Sequence, residues 1–260
     1  MSQSINDFLV VIPARFASSR FPGKALADLG GKAVVQRCYE QCLKAVPAAQ
    51  IVVATEDQRI VDFCEAHNIN VVMTSDQCIT GTDRVAEVAT QLHASWYINV
   101  QGDEPLIDPV LIKTVADNLA ANQQCTVSTL CERIIEMKDY INGNVVKVVW
   151  NAVNEALYFS RAAIPWGREV FSQAEIDWGK MSPDLPAYRH LGIYGYRVVA
   201  LNAFVTWPMS PLEQIEKLEQ LRFMGNGHKI HIAISGSTIP SIGVDTPEDL
   251  ERVAPLMERY

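Results

Sequence analysis

A loop near the N-terminus, from Ala14 to Lys24, carries three cationic side chains, two serine hydroxyls and one glycine. The apolar run Phe8 to Ile12 precedes it and predicts a buried strand. Small residues such as Ser18 let backbone N–H groups approach anionic oxygens, and Arg15 and Lys24 can neutralise charge on phosphates. The loop matches neither the GxGxxG motif of dinucleotide-binding sites nor the GxxxxGK[ST] motif of Walker A sites, so neither kind of site is indicated. We therefore interpret it as a phosphate-binding loop, with a solvated basic surface loop as the alternative.

Two acidic residues follow other predicted strands. Asp103 comes after Gln101-Gly102, where Gly102 lets the backbone turn close to a ligand. A carboxylate beside phosphates needs a cation between them, which favours Mg²⁺. The alternative role for Asp103 is a carboxylate at the entry of the next helix. Asp245, before Thr246, could share the metal or could hydrogen-bond the first turn of the last helix, and the local sequence favours neither.

Further polar residues lie in segments that could form binding walls. Thr80-Gly81-Thr82-Asp83-Arg84 forms a small-residue turn before a helix and suits a base or ribose, although Asp83 could simply cap that helix. His190, Gly192, Tyr194 and Tyr196 would share one face of a strand. That face suits an acidic, hydroxyl-rich ligand whose carboxylate pairs with Arg161, whereas a buried core histidine and ordinary sheet tyrosines are the alternative.

The first half of the chain alternates short apolar runs with helical patterns, which predicts an α/β fold with a predominantly parallel sheet covered by helices on both faces. In such sheets ligands bind at the carboxyl ends of the strands. Strands are predicted at 8–12, 51–54, 71–73 and 97–100, and helices near 32–45, 57–67, 82–93 and 108–121.

The pattern changes after residue 124 and becomes richer in strands. Strands are predicted at 126–131, 145–150, 156–159 and about 229–233, and helices at about 211–224 and from Thr246 onward. Residues 165–186 break the periodicity and are interpreted as an insertion that forms a subunit contact or a lid. We predict a single domain, 1–260, in which residues 125–210 contribute a smaller β-rich subdomain for sugar binding and dimerisation.

Composition narrows the function classes. The chain has 260 residues, 48% of them hydrophobic and 20% charged, enough for one sizeable core. Its net charge of −8 argues against a protein that reads nucleic acid through the phosphate backbone. The N-terminal segment lacks the features of a signal peptide or membrane span, so we expect a cytoplasmic protein without a membrane partner. Six cysteines without a CxxC pair are expected to be reduced and structural.

Taken together, the motifs resemble those of the 3-deoxy-manno-octulosonate (Kdo) cytidylyltransferase family within the sugar nucleotidylyltransferases, whose fold is Rossmann-like. The resemblance covers nearly the whole chain. The motif IPARFASSRFPGK (12–24) alone marks only the broader group of nucleotidylyltransferases. The motifs RHLGIYGY (189–196) and SPLEQIE (210–216) narrow the acceptor to Kdo rather than sialic acid. The motifs are IPARFASSRFPGK (12–24), NVQGDEP (99–105), YFSRAAIP (158–165), RHLGIYGY (189–196), SPLEQIE (210–216) and GVDTPEDL (243–250).

The resemblance implies roles for individual residues. Arg15, Lys24 and Asp103 would be catalytic, and Asp103 and Asp245 would hold Mg²⁺. A homodimer is also implied. Two departures stand out: Gly31-Lys32-Ala33 replaces the usual Gly-Lys-Pro, and Asp83 replaces the usual Glu. The implied nucleotide-binding residues are Ala14, Arg15, Ser18, Lys24, Thr80, Gly81, Arg84 and Gln101, and the implied sugar-binding residues are Gln101, Arg161, His190, Tyr194, Glu213 and Gln214.

The implied reaction is transfer of CMP from CTP to the anomeric 2-hydroxyl of Kdo, with release of pyrophosphate, for lipopolysaccharide synthesis. One alternative is a related acidic acceptor, either an 8-amino analogue of Kdo or a sialic acid. A second is a non-catalytic nucleotide-sugar sensor on the same fold. An NAD-dependent oxidoreductase is disfavoured because its glycine-rich turn and its acidic partner about 20 residues later are missing.

Overall fold

A mixed nine-stranded sheet organises the chain in the computed structural model, which describes residues 8–18, 20–172, 181–182, 184–237, 239 and 242–257. The strands are β1 Phe8–Pro13, β2 Ile51–Thr55, β3 Val71–Met73, β4 Trp96–Asn99, β5 Val127–Arg133, β6 Lys147–Trp150, β7 Ala156–Ser160, β8 Tyr188–Arg197 and β9 Ile230–Ile234. The α-helices are α1 Val34–Leu43, α2 Gln58–Ala66, α3 Gly81–Gln91, α4 Pro109–Ala121, α5 Met137–Ile141, α6 Arg168–Phe171, α7 Val198–Phe204, α8 Pro211–Glu216, α9 Gln220–Gly225 and α10 Pro247–Val253.

The main path of the sheet runs β3-β2-β1-β4-β8-β5-β9. β1 to β4 are parallel, β8 is antiparallel to both β4 and β5, and β9 is parallel to β5. β8 is therefore the one reversed strand along this path of the described chain. The predicted predominantly parallel α/β sheet is confirmed, and the predicted strands and helices of the first half agree with the observed ones to within about two residues.

Each face of the sheet carries its own hydrophobic core. Along β1, Val10 and Ile12 face one core with α1 and α4, while Val11 faces the other with α3 and α7. Successive side chains of a strand point to opposite faces, so a strand buried on both sides must be apolar throughout. Helices thus cover both faces, as the short apolar runs predicted.

The β6–β7 hairpin joins the main sheet where Lys147 of β6 pairs with Arg189 of β8. A satellite core beside it contains Ile134, Tyr140 and Leu185. β5 and β8, which also lie within 125–210, belong to the central sheet. The assignment of 125–210 to sugar binding and dimerisation stays a prediction.

The insertion predicted at 165–186 lies partly outside the described residues, which omit 173–180 and 183. In its described part, Trp166 stacks on Phe171 of α6 with ring centroids 4.3 Å apart, and Tyr140 of α5 donates to the Pro165 carbonyl oxygen at 2.6 Å. This part packs onto α5, and its role as a lid or subunit contact stays a prediction.

The prediction of a single helix at 211–224 is wrong, because the structure has two helices there, α8 and α9. α8 ends at Glu216, and Lys217 adopts a left-handed conformation with φ 54° before α9 begins at Gln220. The Lys217 N–H bonds to the Glu213 carbonyl oxygen at 2.8 Å, and the reversal turns Leu218 into the core. Glycine is the usual residue at such a helix end, so a lysine gave no signal for the break.

All six cysteines are free, as predicted, and five of them are buried: Cys38, Cys42, Cys64, Cys125 and Cys131. Burial raises the pKa of the Cys42 and Cys64 thiols to about 12, so they are poor nucleophiles. None of the helices in the described ranges combines the length and the apolar character needed to cross a membrane.

Candidate active site

A polar cavity of about 460 Å³ opens at the carboxyl ends of β1 and β4. Four cationic side chains and two carboxylates line it, in a chain whose overall charge is negative. Its described lining residues are Pro13, Ala14, Arg15, Ala17, Ser18, Arg20, Lys24, Ala25, Thr80, Gly81, Arg84, Gln101, Gly102, Asp103 and Asp245. We call it the polar cavity below.

The loop after β1 is folded around an aromatic ring. The Gly23 N–H donates to the Phe16 carbonyl oxygen at 2.8 Å, and Gly23 has φ 76°. A Cβ at Gly23 would lie 3.0 Å from the Phe16 ring, and the Arg59 guanidinium lies 3.3 Å from the centroid of the same ring. This turn places Lys24 at the start of a short 3₁₀ helix, Lys24–Leu26, with its side chain in the polar cavity.

A close backbone approach places Asp103. A Cβ on Gly102 would lie 2.5 Å from the carbonyl oxygen of Pro13, so only glycine allows the loop after β4 to pass this close to β1. The Val244 N–H donates to the Asp103 carbonyl oxygen at 2.7 Å. This backbone hydrogen bond joins the loop of Asp103 to the loop of Asp245.

The two carboxylates converge on one ammonium group. Lys24 Nζ lies 2.5 Å from Asp103 Oδ2 and 3.0 Å from Asp245 Oδ1, and Arg20 lies 3.0 Å from Asp245 Oδ2. Burial works to lower the pKa of Lys24, but Asp103 and Asp245 outweigh it and raise that pKa. Lys24 is therefore charged, and the site is a bound cation between two anions.

The alternative capping roles fall to other residues. Asp108 caps α4, and Thr246 caps α10 in a capping box with Asp249. Asp103 and Asp245 instead direct their carboxylates into the polar cavity. Asp83 does cap a helix, because it forms a capping box with Thr80 at the start of α3.

Arg84 lies beneath the cavity rather than across it. Its side chain is buried, its NH2 lies 2.6 Å from Glu56 Oε2, and its NH1 donates to the Thr74 hydroxyl. The guanidinium is therefore held by residues that directly follow β2 and β3. Arg84 still contributes to the cavity lining.

A second cavity of about 460 Å³ lies next to the first. It shares four residues with the polar cavity, and we call these four the shared wall: Arg15, Thr80, Gly81 and Gln101. The remaining lining comes from β8, from the α8–α9 region and from flanking loops: Ile79, His190, Gly192, Tyr194, Met209, Glu213, Gln214, Lys217, Leu218, Glu219 and Gln220. We call it the second cavity.

His190 is held as a neutral imidazole in the second cavity. Burial lowers the pKa of His190 to about 3. Its Nε2 lies 2.9 Å from the Thr129 hydroxyl, which lies 2.7 Å from the Ile193 carbonyl oxygen. Since a carbonyl only accepts, Thr129 donates to Ile193 and accepts from His190 Nε2–H. The other ring nitrogen, Nδ1, is then a hydrogen-bond acceptor.

Comparisons with known proteins agree with this geometry. The profile of a family described as Cytidylyltransferase matches residues 9–230. A 3-deoxy-manno-octulosonate cytidylyltransferase from Cellvibrio japonicus is 48% identical over 97% of this chain and 98% of its own length. The chain belongs to this family of cytidylyltransferases. The corresponding protein from Alcanivorax borkumensis is 48% identical over 95% of this chain and 97% of its own. The solved structure of a CMP:2-keto-3-deoxy-manno-octonic acid synthetase complexed with CTP has a TM-score of 0.87 and 38% identity, covering 98% of this chain and 99% of that one.

Most residues that the sequence singled out line one of the two cavities of this cytidylyltransferase. The polar cavity contains every predicted nucleotide-binding and metal-binding residue, and the second cavity contains Gln101, His190, Tyr194, Glu213 and Gln214. Arg161 lies outside both linings as the described residues form them. Its guanidinium donates to the carbonyl oxygens of Glu216 at 2.6 Å and Gly143 at 3.0 Å.

Glu213 reaches the second cavity but is already paired. Its carboxylate accepts three hydrogen bonds from Arg222, at 3.2, 2.9 and 2.6 Å, and one from the Ser210 N–H at 3.2 Å. Glu213 is only 4% exposed, so its charge is neutralised within the protein. The sequence did not suggest Arg222 as this partner.

Two further residues were missed. Arg20 binds Asp245, and its place among the cations of the first motif was the available signal. Glu219 lines the second cavity, and burial raises the pKa of its carboxyl. No sequence signal marked Glu219, because the helix break at Lys217 that turns it inward was not predicted.

Gly102→Ala should lower the free energy of unfolding by about 1–3 kcal/mol, because the new methyl group must push the loop after β4 away from Pro13. Urea denaturation measures this. Gly243→Ala is the matched control in the adjoining loop, where a Cβ would lie an ordinary 3.7 Å from the Asp103 carbonyl oxygen. Equal stability of the two variants would contradict the close approach.

Proposed function

We propose that this protein transfers CMP from CTP to the anomeric 2-hydroxyl of Kdo, releasing pyrophosphate and forming CMP-Kdo for lipopolysaccharide synthesis. One observation carries the proposal: a cation-lined cavity meets, at a single wall, a second cavity whose lining includes hydroxyl, amide and imidazole side chains. A reaction that joins a triphosphate to a sugar needs both substrates to meet at such a point. The family supplies the identity of the two substrates.

The reaction forms a bond from the sugar oxygen to the α-phosphorus and breaks the bond from that phosphorus to pyrophosphate. The hydroxyl proton passes to solvent water, and pyrophosphate leaves with the bonding electrons. A covalent enzyme intermediate is not needed. Catalysis then consists of positioning two anions and stabilising transferred charge. Arg15, Arg20 and Lys24 face the polar cavity and would bind the phosphates and the departing pyrophosphate.

Mg²⁺ fits the carboxylate pair. Asp103 and Asp245 present two hard oxygens to one cation position, and Mg²⁺ is typically bound by one or two carboxylates together with substrate phosphates. Asp103 and Asp245 would hold the ion, which would neutralise phosphate charge and make the sugar hydroxyl more acidic. The protein residues meanwhile align the reacting groups.

The carboxylate of Kdo is attached to the same carbon as the attacking hydroxyl, so its cationic partner must lie close to the point of attack. Arg15 belongs to the shared wall and meets this requirement. Arg161, the partner suggested by the sequence, is held by Glu216 and Gly143 outside the cavities. We therefore propose that Arg15, which borders both cavities, pairs with the sugar carboxylate as well as with the phosphates.

The hydroxyls of Kdo would meet neutral groups. His190 Nδ1 accepts a hydrogen bond, while Gln101 donates through Nε2 to the Gly192 carbonyl oxygen at 3.2 Å and keeps its amide oxygen as an acceptor. Tyr194 and Gln214 add a hydroxyl and an amide to the lining. We also propose a cytoplasmic homodimer without nucleic-acid or membrane partners.

A pyrophosphate-release assay tests the substrates by crossing the four ribonucleoside triphosphates with Kdo, its 8-amino analogue and N-acetylneuraminate. The expected result is rapid release with CTP and Kdo in the presence of Mg²⁺. Activity confined to another acceptor would replace Kdo but keep the class of reaction. Binding of CTP and Kdo without any release would instead support a non-catalytic sensor.

Asp103→Asn should lower kcat by about 10²- to 10³-fold, because the change removes one of two charged oxygens preorganised at the reacting phosphate. The measurement is steady-state turnover over a range of Mg²⁺ concentrations. Asp62→Asn, on the exposed side of α2, is the control with the same change of side chain. Turnover of Asp103→Asn close to that of the parent would defeat the assignment.

His190 should show no titration between about pH 5 and 8, because burial depresses the pKa of its imidazole to about 3. NMR of ¹³C-labelled histidine measures this, with the urea-unfolded chain, where His190 should titrate near the ordinary value of about 6.5, as the reference. Since the folded-state pKa lies below the unfolded one, stability is full above about pH 6.5 and falls as the pH drops toward 3.

His190→Gln should therefore lose less stability than the parent as the pH is lowered through that range. An imidazole that gains a proton near neutral pH in the folded protein would contradict the assignment of a neutral acceptor. It would point instead to an ionic contact with the sugar.

A further inference from the structure

The ammonium group of Lys24 occupies the position between the two acidic side chains of the polar cavity. It contacts Asp103 Oδ2 at 2.5 Å and Asp245 Oδ1 at 3.0 Å, and its side chain is only 15% exposed. Two oxygens that contact one nitrogen at these distances are at most about 5.5 Å apart. Two oxygens bound to one Mg²⁺ are at most about 4.2 Å apart, so a small movement of the two side chains would let them share one ion. Lys24 and a divalent cation would therefore use the same oxygens.

The two cations exclude each other for a simple electrostatic reason. A divalent ion between Asp103 and Asp245 would meet the Lys24 ammonium at a distance where repulsion between like charges is strong. If Lys24 stays in place, the site offers the metal only carboxylates that are already neutralised. Arg20, 3.0 Å from Asp245 Oδ2, strengthens this effect from the open side of the cavity.

We propose that Lys24 acts as an internal cation that keeps Asp103 and Asp245 together before substrate binds, and that it is exchanged for a divalent cation when a triphosphate enters. The inference rests on the proposed metal role of the two carboxylates. The incoming phosphates provide the new anionic partner for Lys24, and the carboxylates released by Lys24 then receive the metal. The metal consequently binds together with the nucleotide rather than before it.

This arrangement gives Lys24 two successive roles. In the free protein it positions the carboxylates, which would otherwise repel each other at this distance. After the exchange it faces the phosphates.

The test is Mn²⁺ binding to the free protein without nucleotide, followed by electron paramagnetic resonance. The parent should bind Mn²⁺ weakly, and Lys24→Met should bind it at least about tenfold more tightly, because the competing charge is gone. Lys24→Gln provides a second neutral variant if Lys24→Met folds poorly, which thermal unfolding will reveal. Lys24→Arg keeps the charge and should bind Mn²⁺ as weakly as the parent.

Lys32→Met is the matched control for the change in net charge. Lys32 pairs with Glu40 at 2.7 Å, away from Asp103 and Asp245, so this variant should leave Mn²⁺ affinity unchanged. Adding Asp103→Asn to Lys24→Met should abolish the gain, which places the bound ion at the carboxylate pair.

Equal Mn²⁺ affinity of the parent and Lys24→Met would overturn the exchange, and so would a gain of the same size in Lys32→Met. These results are independent of the acceptor sugar, because the only probe is the metal ion. Release of pyrophosphate from CTP and Kdo by the parent, combined with equal Mn²⁺ affinities, would keep the proposed function and reject the exchange. If the parent releases no pyrophosphate from CTP and Kdo while Lys24→Met still binds Mn²⁺ more tightly, the exchange stands and the proposed function is rejected.

Discussion

The contact of one lysine with two aspartates holds the site together. Asp103 and Asp245 would repel each other without a cation between them, and Lys24 supplies it. Lys24 and Asp245 are 221 residues apart in sequence, so the contact joins the first and last parts of the chain. The surrounding backbone positions the residues that make this contact. Gly102 allows the loop after β4 to pass beside Pro13, and the hydrogen bond from Val244 to Asp103 holds the loop of Asp245 against the loop of Asp103.

The reversed strand β8 explains why a second cavity lies beside the first. β1 and β4 deliver their carboxyl ends to the edge of the sheet where the polar cavity opens. Because β8 runs the opposite way, it delivers its N-terminal part to that edge. Asn99 at the end of β4 pairs with Tyr194, and the residues of β8 before it extend past the end of β4, where His190 and Gly192 lie near Gln101. An all-parallel arrangement would have placed the opposite end of β8 there.

The positions of residues at the ends of strands could be predicted from the sequence. The two-residue period and the apolar runs locate the buried strands, and ligands in parallel α/β sheets bind at the carboxyl ends of those strands. Asp103, just after β4, is of this kind, and Lys24 belongs to the long loop that follows β1. The role of Asp245 could not be decided from the sequence. The choice between capping α10 and entering the cavity depends on Asp249 and on the loop of Asp103, which lies 142 positions earlier in the sequence.

The partner of Glu213 could not be predicted either. Arg222 reaches it only because the chain reverses at Lys217, and a left-handed lysine has no sequence signature. Arg161 follows the predicted strand 156–159. The carbonyl oxygens of Glu216 and Gly143 hold its guanidinium, and the sequence pattern does not reveal them.

The distribution of charge over the two cavities suggests how acceptors are told apart. In the polar cavity Arg15 and Arg20 lie near the solvent, where phosphates can reach them, and under the proposed exchange Lys24 would pass from the carboxylates to the phosphates. In the second cavity Arg222 neutralises Glu213 and burial keeps His190 neutral, while Arg15 and Lys217 also line the cavity as cations. We expect the hydroxyls of an acceptor to meet the neutral groups, so that their pattern contributes to its selection. Sites that hydrogen-bond a substrate hydroxyl can reject an analogue lacking it by about 10⁴-fold, because a buried polar group is left without a partner. Neutral acceptors such as His190 Nδ1 and the Gln101 amide oxygen are suited to this kind of discrimination, while Arg15 on the shared wall would, in the proposed role, hold the sugar carboxylate beside the reacting phosphorus.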